Sequence, residues 1–435
     1  MAIPKLALIP STVGGSVYSV LPSNGNGDFD FTRASAATRI NAQGLIETVA
    51  VGDNRLNYPL IDGVVQGCPS LLLEPQRINL VQYSEDFSNA YWTKAGSSVV
   101  GGFTSPEGLG NAYKLVEDTS TGIHRVKADG ISVSANRYNV SVFVKPNGRN
   151  EIRVSLANYF SSGTDAYFNL DTKVITYGTR AENGLIETFA NGWFRCSFSS
   201  TSGELAGPNA FVYIDTALSN SNSYQGDGTS GVYIYGAQLE QGSYPTSYIP
   251  NSGTALGVTR SAETCNNAGD ASTFNDSEGV LFAEVSAFND SSIWRGISIS
   301  DGTLSNKVSY FATGRGNANE ARFDIIAAGS FQVLNYVVLN DITNSNKVAI
   351  KYKANDVGMW VNGFRLALDT NATMPSGLSK IQFANGNTSS PAENYYGNTK
   401  QIQYFDTALN DSDLETLTSW VSFSDMAIGQ LYTIE

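Results

Sequence analysis

The sequence predicts an all-β chain, built as tandem β-sandwiches preceded by an irregular N-terminal segment. Three observations predict it. Helical periodicity is nearly absent, whereas alternating apolar runs recur between clusters of Gly, Asn, Asp and Ser. Charged residues are only 15% of the 435, and small hydrogen-bonding residues and 42 glycines fill the deficit, which suits turn-rich architecture. Aromatics reach 11%, weighted to 22 Tyr and 21 Phe, side chains that favour strands.

Residues 1–80 hold Gly14-Gly15, the run Ser23 to Asp28 and short strand candidates such as Gly44 to Val49, closing on Ser70 to Leu80. The stretch is too polar and broken for a large core of its own. It reads as an anchoring segment that packs on something else.

Residues 81–255 carry strand candidates at Ala112 to Val116, Tyr138 to Val144, Glu151 to Leu156, Ala166 to Leu170, Trp193 to Ser199, Ala210 to Asp215 and Gly231 to Leu239. Val140, Val142 and Val144 alternate with Ser141 and Phe143. Many short strands at such spacing predict a two-sheet sandwich. The prolines of Tyr244 to Pro250 predict an extended linker after it.

Residues 256–435 predict strands at Gly279 to Ser286, Gly296 to Ser300, Lys307 to Ala312, Ala321 to Ile326, Lys347 to Lys353 and Lys400 to Phe405. Asn362-Gly363, flanked by apolar alternation, predicts a type I′ hairpin because both residues tolerate positive φ. Asn410 or Asp411 predicts the cap of a short helix running to Trp420, with Leu414, Leu417 and Trp420 on one side.

Charge and cysteines bound the function. The net charge of −13, with no basic stripe, opposes nucleic acid as a partner, since phosphate binding depends on clustered Lys and Arg. Cys68, Cys196 and Cys265 are odd in number, far apart and outside any CxxC pair, so neither a disulfide framework nor a zinc site follows. The apolar stretch Leu6 to Ile9 is too short for a secretory core, and no run approaches a membrane span.

The third region resembles the laminin-G and concanavalin-like jelly-roll sandwiches. Gly279 to Ser286 looks like their opening strand, Lys347 to Leu366 like their hairpin, and Ile402 to Leu414 like their closing strand and helical turn. The second region resembles the carbohydrate-binding-module-like sandwiches of bacteriophage and prophage virion proteins. The matching pieces are Asn79 to Ser88, Tyr91-Trp92, Gly192 to Ser197 and Gly236 to Gly242. Phe31 to Arg39 and Leu72 to Arg77 look like segments of the same phage proteins.

The resemblances imply tandem jelly-roll sandwiches in a tail, head or spike fibre component. Such a protein is made in the bacterial cytoplasm and exposed on the virion surface. Residues 1–80 would dock on other virion proteins, the chain would associate with itself, as fibres do in homotrimers, and its outer surface would bind a host-surface glycan for attachment. A purely structural capsid or tail decoration and a polysaccharide depolymerase are the alternatives.

Chemistry-bearing residues are sparse. His124, the only histidine, reads as an exposed or strand-end residue, and no GxSxG elbow accompanies it. Glu284, Asp324, Glu151 and Glu240 are the acids a glycosidase could recruit, but no spacing pairs two of them across a cleft. No cofactor is indicated. For calcium, Asn289-Asp290, Ser300 to Gly302 and Asn340-Asp341 offer oxygen ligands, and turn formation explains them equally well. Sugar rings stack on exposed aromatics, and Tyr91, Trp92, Tyr159, Phe160, Tyr224, Trp294, Tyr395 and Tyr396 lie near inferred loops or strand ends. Of these, Tyr159, Phe160, Trp294, Tyr395 and Tyr396 are the ligand-binding candidates. Trp193 and Trp360 fall inside predicted strands and belong to cores.

Overall fold

A computed structural model describes residues 2–10, 12, 13, 16–158, 163–201, 209–288, 293–312, 319–387, 393–422 and 424–426. The chain is all-β, with tandem sandwiches, as its alternation predicts.

The middle sandwich packs two six-stranded sheets. One runs Trp92–Ala95, Arg125–Ile131, Ala210–Ala217, Glu151–Asn158, Asp165–Asn169, Val174–Tyr177. The other runs Ser97–Phe103, Ala112–Glu117, Gly231–Gln241, Tyr138–Asn147, Phe194–Ser200, Ala181–Thr188. Val140, Val142 and Val144 point between the sheets with Ile152, Phe198 and Ile214. Phe143, on the opposite face of its strand, enters a second apolar cluster with Ile46, Phe189, Trp193, Tyr235 and Tyr248. Successive side chains on a strand face opposite ways, so both faces of this strand are buried. Ile46 comes from the hairpin of Ala37–Ile40 and Ile46–Val49, so the N-terminal segment helps cover the outer face.

The C-terminal sandwich is assembled from both ends of the chain. Its larger sheet runs Phe364–Asp369, Val357–Val361, Asn346–Lys353, Glu278–Ala287, Gly397–Phe405, Ser70–Leu73, Leu56–Asn57. Leu6–Leu8 also pairs with Gly397–Phe405, in the register Leu6 to Tyr404 and Leu8 to Ile402. Leu71 and Leu73 continue along the same strand opposite Thr399 and Gly397. The facing sheet runs Ser330–Val338, Glu320–Ala327, Lys307–Ala312, Arg295–Ser300, Lys380–Gln382. Leu6, Leu8, Leu71 and Leu73 are buried between the sheets with Leu281, Ile297, Phe323 and Ile350. The segment that reads as packing on something else finds that partner within the same chain. Too few of its residues are apolar to close a core alone, but its short strands complete an existing sheet.

Tyr244 to Pro250 departs from the linker expectation. Tyr244, Thr246, Tyr248 and Ile249 are buried. Thr38 Oγ1 donates to the Tyr248 carbonyl at 2.6 Å, and the Tyr248 hydroxyl lies 2.7 Å from Ser84 Oγ. The prolines hold the backbone extended, and its aromatics fill the junction of the three regions instead of spanning solvent.

The hairpin forms where expected. Val361 pairs with Phe364 across Asn362 and Gly363, which adopt φ of 49° and 89°. The helix Asp411–Thr418 is capped by Asn410, whose side chain accepts from the Asp413 N–H at 2.8 Å. No helix among the described residues is long and apolar enough to cross a membrane.

Candidate functional site: a cleft where three regions meet

Backbone order at the junction is set by buried ions. Arg33, Arg55, Glu74, Arg260 and Glu263 have almost no exposed surface. Arg55 donates through Nε to Glu263 Oε1 at 2.8 Å and pairs through Nη1 with Glu74 Oε2 at 2.8 Å. Arg33 Nη1 reaches Glu263 Oε1 at 2.8 Å, and Arg260 Nη1 reaches Glu74 Oε2 at 2.7 Å. Ser247 donates to both oxygens of Glu74, by N–H at 2.7 Å and by Oγ at 2.5 Å. Burial alone would raise the Glu74 carboxyl, but the guanidiniums of Arg260 and Arg55 hold it down at about 2. Burial pushes the Arg260 guanidinium the other way, below its ordinary value.

Two adjoining spaces open beside this cluster. The smaller, about 180 Å³, is lined by Thr38, Glu74, Phe143, Arg195, Ser247 and Tyr248 among others. The larger, about 610 Å³, is a cleft whose walls come from all three regions. The N-terminal segment supplies Asn57, Tyr58, Leu60 and Asp62, the middle sandwich Lys173 and Leu185 to Phe189, and the C-terminal sandwich Ser286, Thr343, Ser345, Asn398 and Lys400. Ile40, Asn57, Glu187, Phe189 and Asn398 line both spaces. A volume of this size suits a small ligand, and region boundaries are where such sites concentrate.

The lining combines apolar side chains, among them Leu60, Ile61 and Ile186, with neutral hydrogen-bonding ones. Asn57 uses Oδ1 to accept the Ile40 N–H at 2.8 Å. Asn398 uses Oδ1 to accept Ser70 Oγ at 2.9 Å. Both amides are thereby oriented, and among the described residues neither Nδ2 has a hydrogen-bond acceptor. Two held donors with spare capacity therefore line the cleft beside the half-buried ring of Tyr58. Lys173 is engaged by Asp62 at 2.7 Å, and Lys400 lies 3.4 Å from Glu284.

Glu187 stands at the wall between the spaces. It is half-buried, yet its Oε2 is occluded from solvent and has no hydrogen-bond partner. Loss of hydration raises its carboxyl pKa, with the nearby Arg195 opposing. Arg195 donates to Ser141 at 3.0 Å and sits over the Phe143 ring.

The aromatic candidates read from the sequence lie elsewhere. Tyr159 and Phe160 fall outside the described residues. Trp294, Tyr395 and Tyr396 are buried, correcting their expected place at the surface. Trp294 packs against Phe311 and Tyr336 with the Arg322 guanidinium 4.6 Å from its ring. Tyr395 is fully buried and donates its hydroxyl to the Ser286 carbonyl at 2.8 Å. Tyr396 lies under Arg295 at 4.8 Å. Neighbouring Asn and Gly residues suggested loop exposure, but both tyrosines turn into the C-terminal core at the entry to Gly397–Phe405. Trp92 is buried with its indole N–H donated to the Tyr83 carbonyl at 2.7 Å, and the half-buried Tyr224 donates to Glu117 at 2.7 Å. Trp193 and Trp360 are fully buried, as expected.

His124 lies at a strand end, between Thr121–Ile123 and Arg125–Ile131, but is buried and not exposed. Its Nδ1 lies 2.6 Å from the Gly96 carbonyl and its ring packs against Tyr224. The acids weighed for hydrolysis are all engaged. Glu284 accepts from Gln401 at 2.9 Å and Ser345 at 3.2 Å, and Asp324 is held by Lys307 at 2.8 Å and Arg322 at 2.7 Å. Glu151 accepts from Asn169 at 2.8 Å, and Glu240 from Thr246 at 2.6 Å. Of the loops offering calcium ligands, Asn289-Asp290 lies outside the described residues. Asp301 accepts from Thr303 N–H at 2.7 Å and Asp341 from Thr343 N–H at 2.8 Å, closing turns. Among the described residues no three or more His, Cys, Asp or Glu gather as metal ligands.

Asn57, Tyr58 and Asn398 were not singled out by the sequence. Asn57 ends the two-residue strand Leu56–Asn57, Tyr58 follows it outside any strand, and Asn398 lies at the start of Gly397–Phe405, ahead of the predicted Lys400 to Phe405, and only folding brings residues so far apart in the chain together.

No family model matches the chain, and no curated protein matches it. Solved structures to which the chain shows distant similarity include the Ruminococcus gnavus IT-sialidase CBM40 bound to α2,3-sialyllactose, at 18% identity and a TM-score of 0.30 over 34% of this chain and 86% of that one. Domain 4 of AbnA, a GH43 extracellular arabinanase from Geobacillus stearothermophilus, in complex with arabinotriose, matches at 10% identity and a TM-score of 0.28, over 36% and 73%. Mouse laminin α1 domains LG4-5 match at 9% identity and a TM-score of 0.22, over 81% and 96%. Likenesses this distant carry no weight for ligand or partner.

Proposed function

We propose that this chain is a non-catalytic, glycan-binding component of a bacteriophage particle, and that the cleft between its three regions takes the sugar. The observation that carries the binding reading is the pair of oriented, unpartnered amide donors of Asn57 and Asn398 beside Tyr58. Sugars present many hydroxyl acceptors and a weakly apolar ring face. Such donors and one aromatic meet both needs, while the cleft's lysines already face carboxylates. The virion setting is supported by the sequence resemblance of Asn79 to Ser88, Gly192 to Ser197 and Gly236 to Gly242 to phage proteins.

Binding of the purified chain to an array of bacterial surface glycans tests the ligand. Asn57→Asp and Asn398→Asp keep the Oδ1 acceptors and remove the Nδ2 donors. Each is expected to weaken binding about fivefold, the worth of one net hydrogen bond of ~1 kcal/mol. Binding that ignores both changes would place the sugar elsewhere, and an array without signal would remove it. Release of reducing ends from host polysaccharide, lost in Glu284→Gln, would replace binding with hydrolysis. Antibody against the chain that fails to label intact particles would end the virion reading.

A further inference from the structure

We infer that Lys307 bonds covalently to Asn385, an intramolecular amide cross-link that the chain makes by itself with loss of ammonia. Lys307 and Ser309 share the outer face of Lys307–Ala312, and the neighbouring strand Glu320–Ala327 sets Asp324 opposite Ser309. The inner faces of the two strands carry Val308, Tyr310, Phe323 and Ile325 into the core. A lysine on an outer face is ordinarily solvated. Lys307 is only 2% exposed, because the chain folds back over it.

The covering segment is Ala384 to Gly386. Ser298 Oγ donates to the Ala384 carbonyl at 2.6 Å, and Ser300 Oγ donates to the Gly386 carbonyl at 2.7 Å. Gly386 packs so closely that an added Cβ would lie 2.9 Å from Lys307 Cδ. Asn385 is thereby pinned over the sheet, with its Oδ1 2.7 Å from Lys307 Nζ. Nζ also lies 2.8 Å from Asp324 Oδ1 and 2.9 Å from Ser309 Oγ. Asn385 Nδ2 donates to Glu393 Oε2 at 2.5 Å. Nucleophile and carboxamide are thus in contact, each with a carboxyl group beside it, and no further chain movement is needed to bring them together.

A lysine attacks only as the neutral amine. Burial pulls the Lys307 ammonium below its ordinary value, with Asp324 opposing, and Asp324 is itself shared with Arg322 at 2.7 Å. The neutral Nζ attacks Cγ of Asn385, and its surplus proton passes to Asp324. The Nζ–Cγ bond forms and the Cγ–Nδ2 bond breaks. Nδ2 takes a proton through Glu393, whose half-buried side chain reaches solvent, and leaves as ammonia. One amine and one carboxamide become one amide and one ammonia, with no change of oxidation state.

Asn385-Gly386 has a competing reaction, in which the Gly386 nitrogen closes a ring on the same Cγ and releases the same ammonia. Here that N–H is engaged by Ser298 Oγ at 2.8 Å, which leaves Lys307 the better placed nucleophile.

Intact-mass spectrometry and peptide mapping of the full chain, denatured and reduced, test the inference. The chain is expected to be lighter than its sequence by one ammonia, and fragmentation is expected to show the Lys307 peptide joined to the Asn385 peptide. Lys307→Arg keeps a buried cation and is expected to restore the full mass. Should that variant fail to fold, the wild-type fragment spectrum decides alone, since it reads the bond directly. A wild-type chain of full mass would overturn the inference. So would a missing ammonia confined to the Asn385 peptide, which is the ring closed on Gly386, or a missing water, which would put the bond at a carboxylate. None of these outcomes touches the glycan reading, since none of these residues lines the cleft.

Discussion

The backbone N–H of Glu74 donates to Oε2 of Glu263 at 2.8 Å across 189 residues of sequence, and the Arg55 guanidinium joins the two carboxylates. The strand ending at Leu73 and the segment after the middle sandwich are thus locked together by buried charge. Desolvated ions are costly individually, so each of these groups depends on the others being present.

Removing one member should therefore be severe. Glu263→Gln leaves Arg33 buried without a carboxylate and Arg55 with Glu74 alone. A loss of about 3–5 kcal/mol is expected in urea unfolding. A loss under 1 kcal/mol would mean that water reaches the cluster.

Acid should act through Glu74. Its carboxyl is depressed to about 2 in the folded chain from an ordinary 4.5. A depressed carboxylate contributes stability that is full above the unfolded value and lost as pH falls toward the folded one. Urea midpoints should hold at neutral pH and decline as pH falls from 4.5 toward about 2. The decline should be smaller in Glu74→Gln than in the wild type.

Glu187 should show the opposite sign. Its carboxyl is raised by burial, so its contribution is fullest below the ordinary glutamate value and is lost as pH rises through the raised one. The stability of Glu187→Gln relative to wild type should be more favourable at pH 8 than at pH 5. Equal differences at both would show the carboxyl to be solvated.

Phe143 ties the outer face of the middle sandwich to the junction, with Phe189 at 5.0 Å and Tyr248 at 5.8 Å between ring centres. Phe143→Ala should cost about 3–5 kcal/mol and speed proteolysis within residues 37–49, which pack on the same cluster.

Gly363 has φ of 89°, and an added Cβ would lie 2.8 Å from Ser419 Oγ. Gly363→Ala should cost about 1–2 kcal/mol by thermal unfolding, the strain of a side chain in the left-handed region. Unchanged stability would mean that the turn rebuilds in another form.

Strand positions were legible because apolar-rich runs of strand length stand between clusters of turn-forming residues. Lys307–Ala312 has the expected bounds, and Glu278–Ala287, Asn346–Lys353 and Ala112–Glu117 differ by a residue or so at their ends. The turn at Asn362-Gly363 and the cap at Asn410 were legible for a local reason: one backbone geometry demands those residues. What the sequence did not carry was partnership. Leu6–Leu8 and Ser70–Leu73 are too short to announce a sheet, and nothing local says that they share Gly397–Phe405. The cleft was hidden for the same reason, since its amide donors come from segments that meet only after folding. Tyr395 and Tyr396 misled because turn-forming neighbours mark a bend, not the direction in which its side chains point.

The pairing of Leu6–Leu8 with Gly397–Phe405 has a consequence for biosynthesis. Ribosomes add roughly 5–20 residues per second, so Leu6 waits some tens of seconds before its partner Tyr404 has left the exit tunnel. During that interval the middle sandwich can mature, whereas the leucines at the start remain bare and in need of shielding by a chaperone or by nascent neighbours.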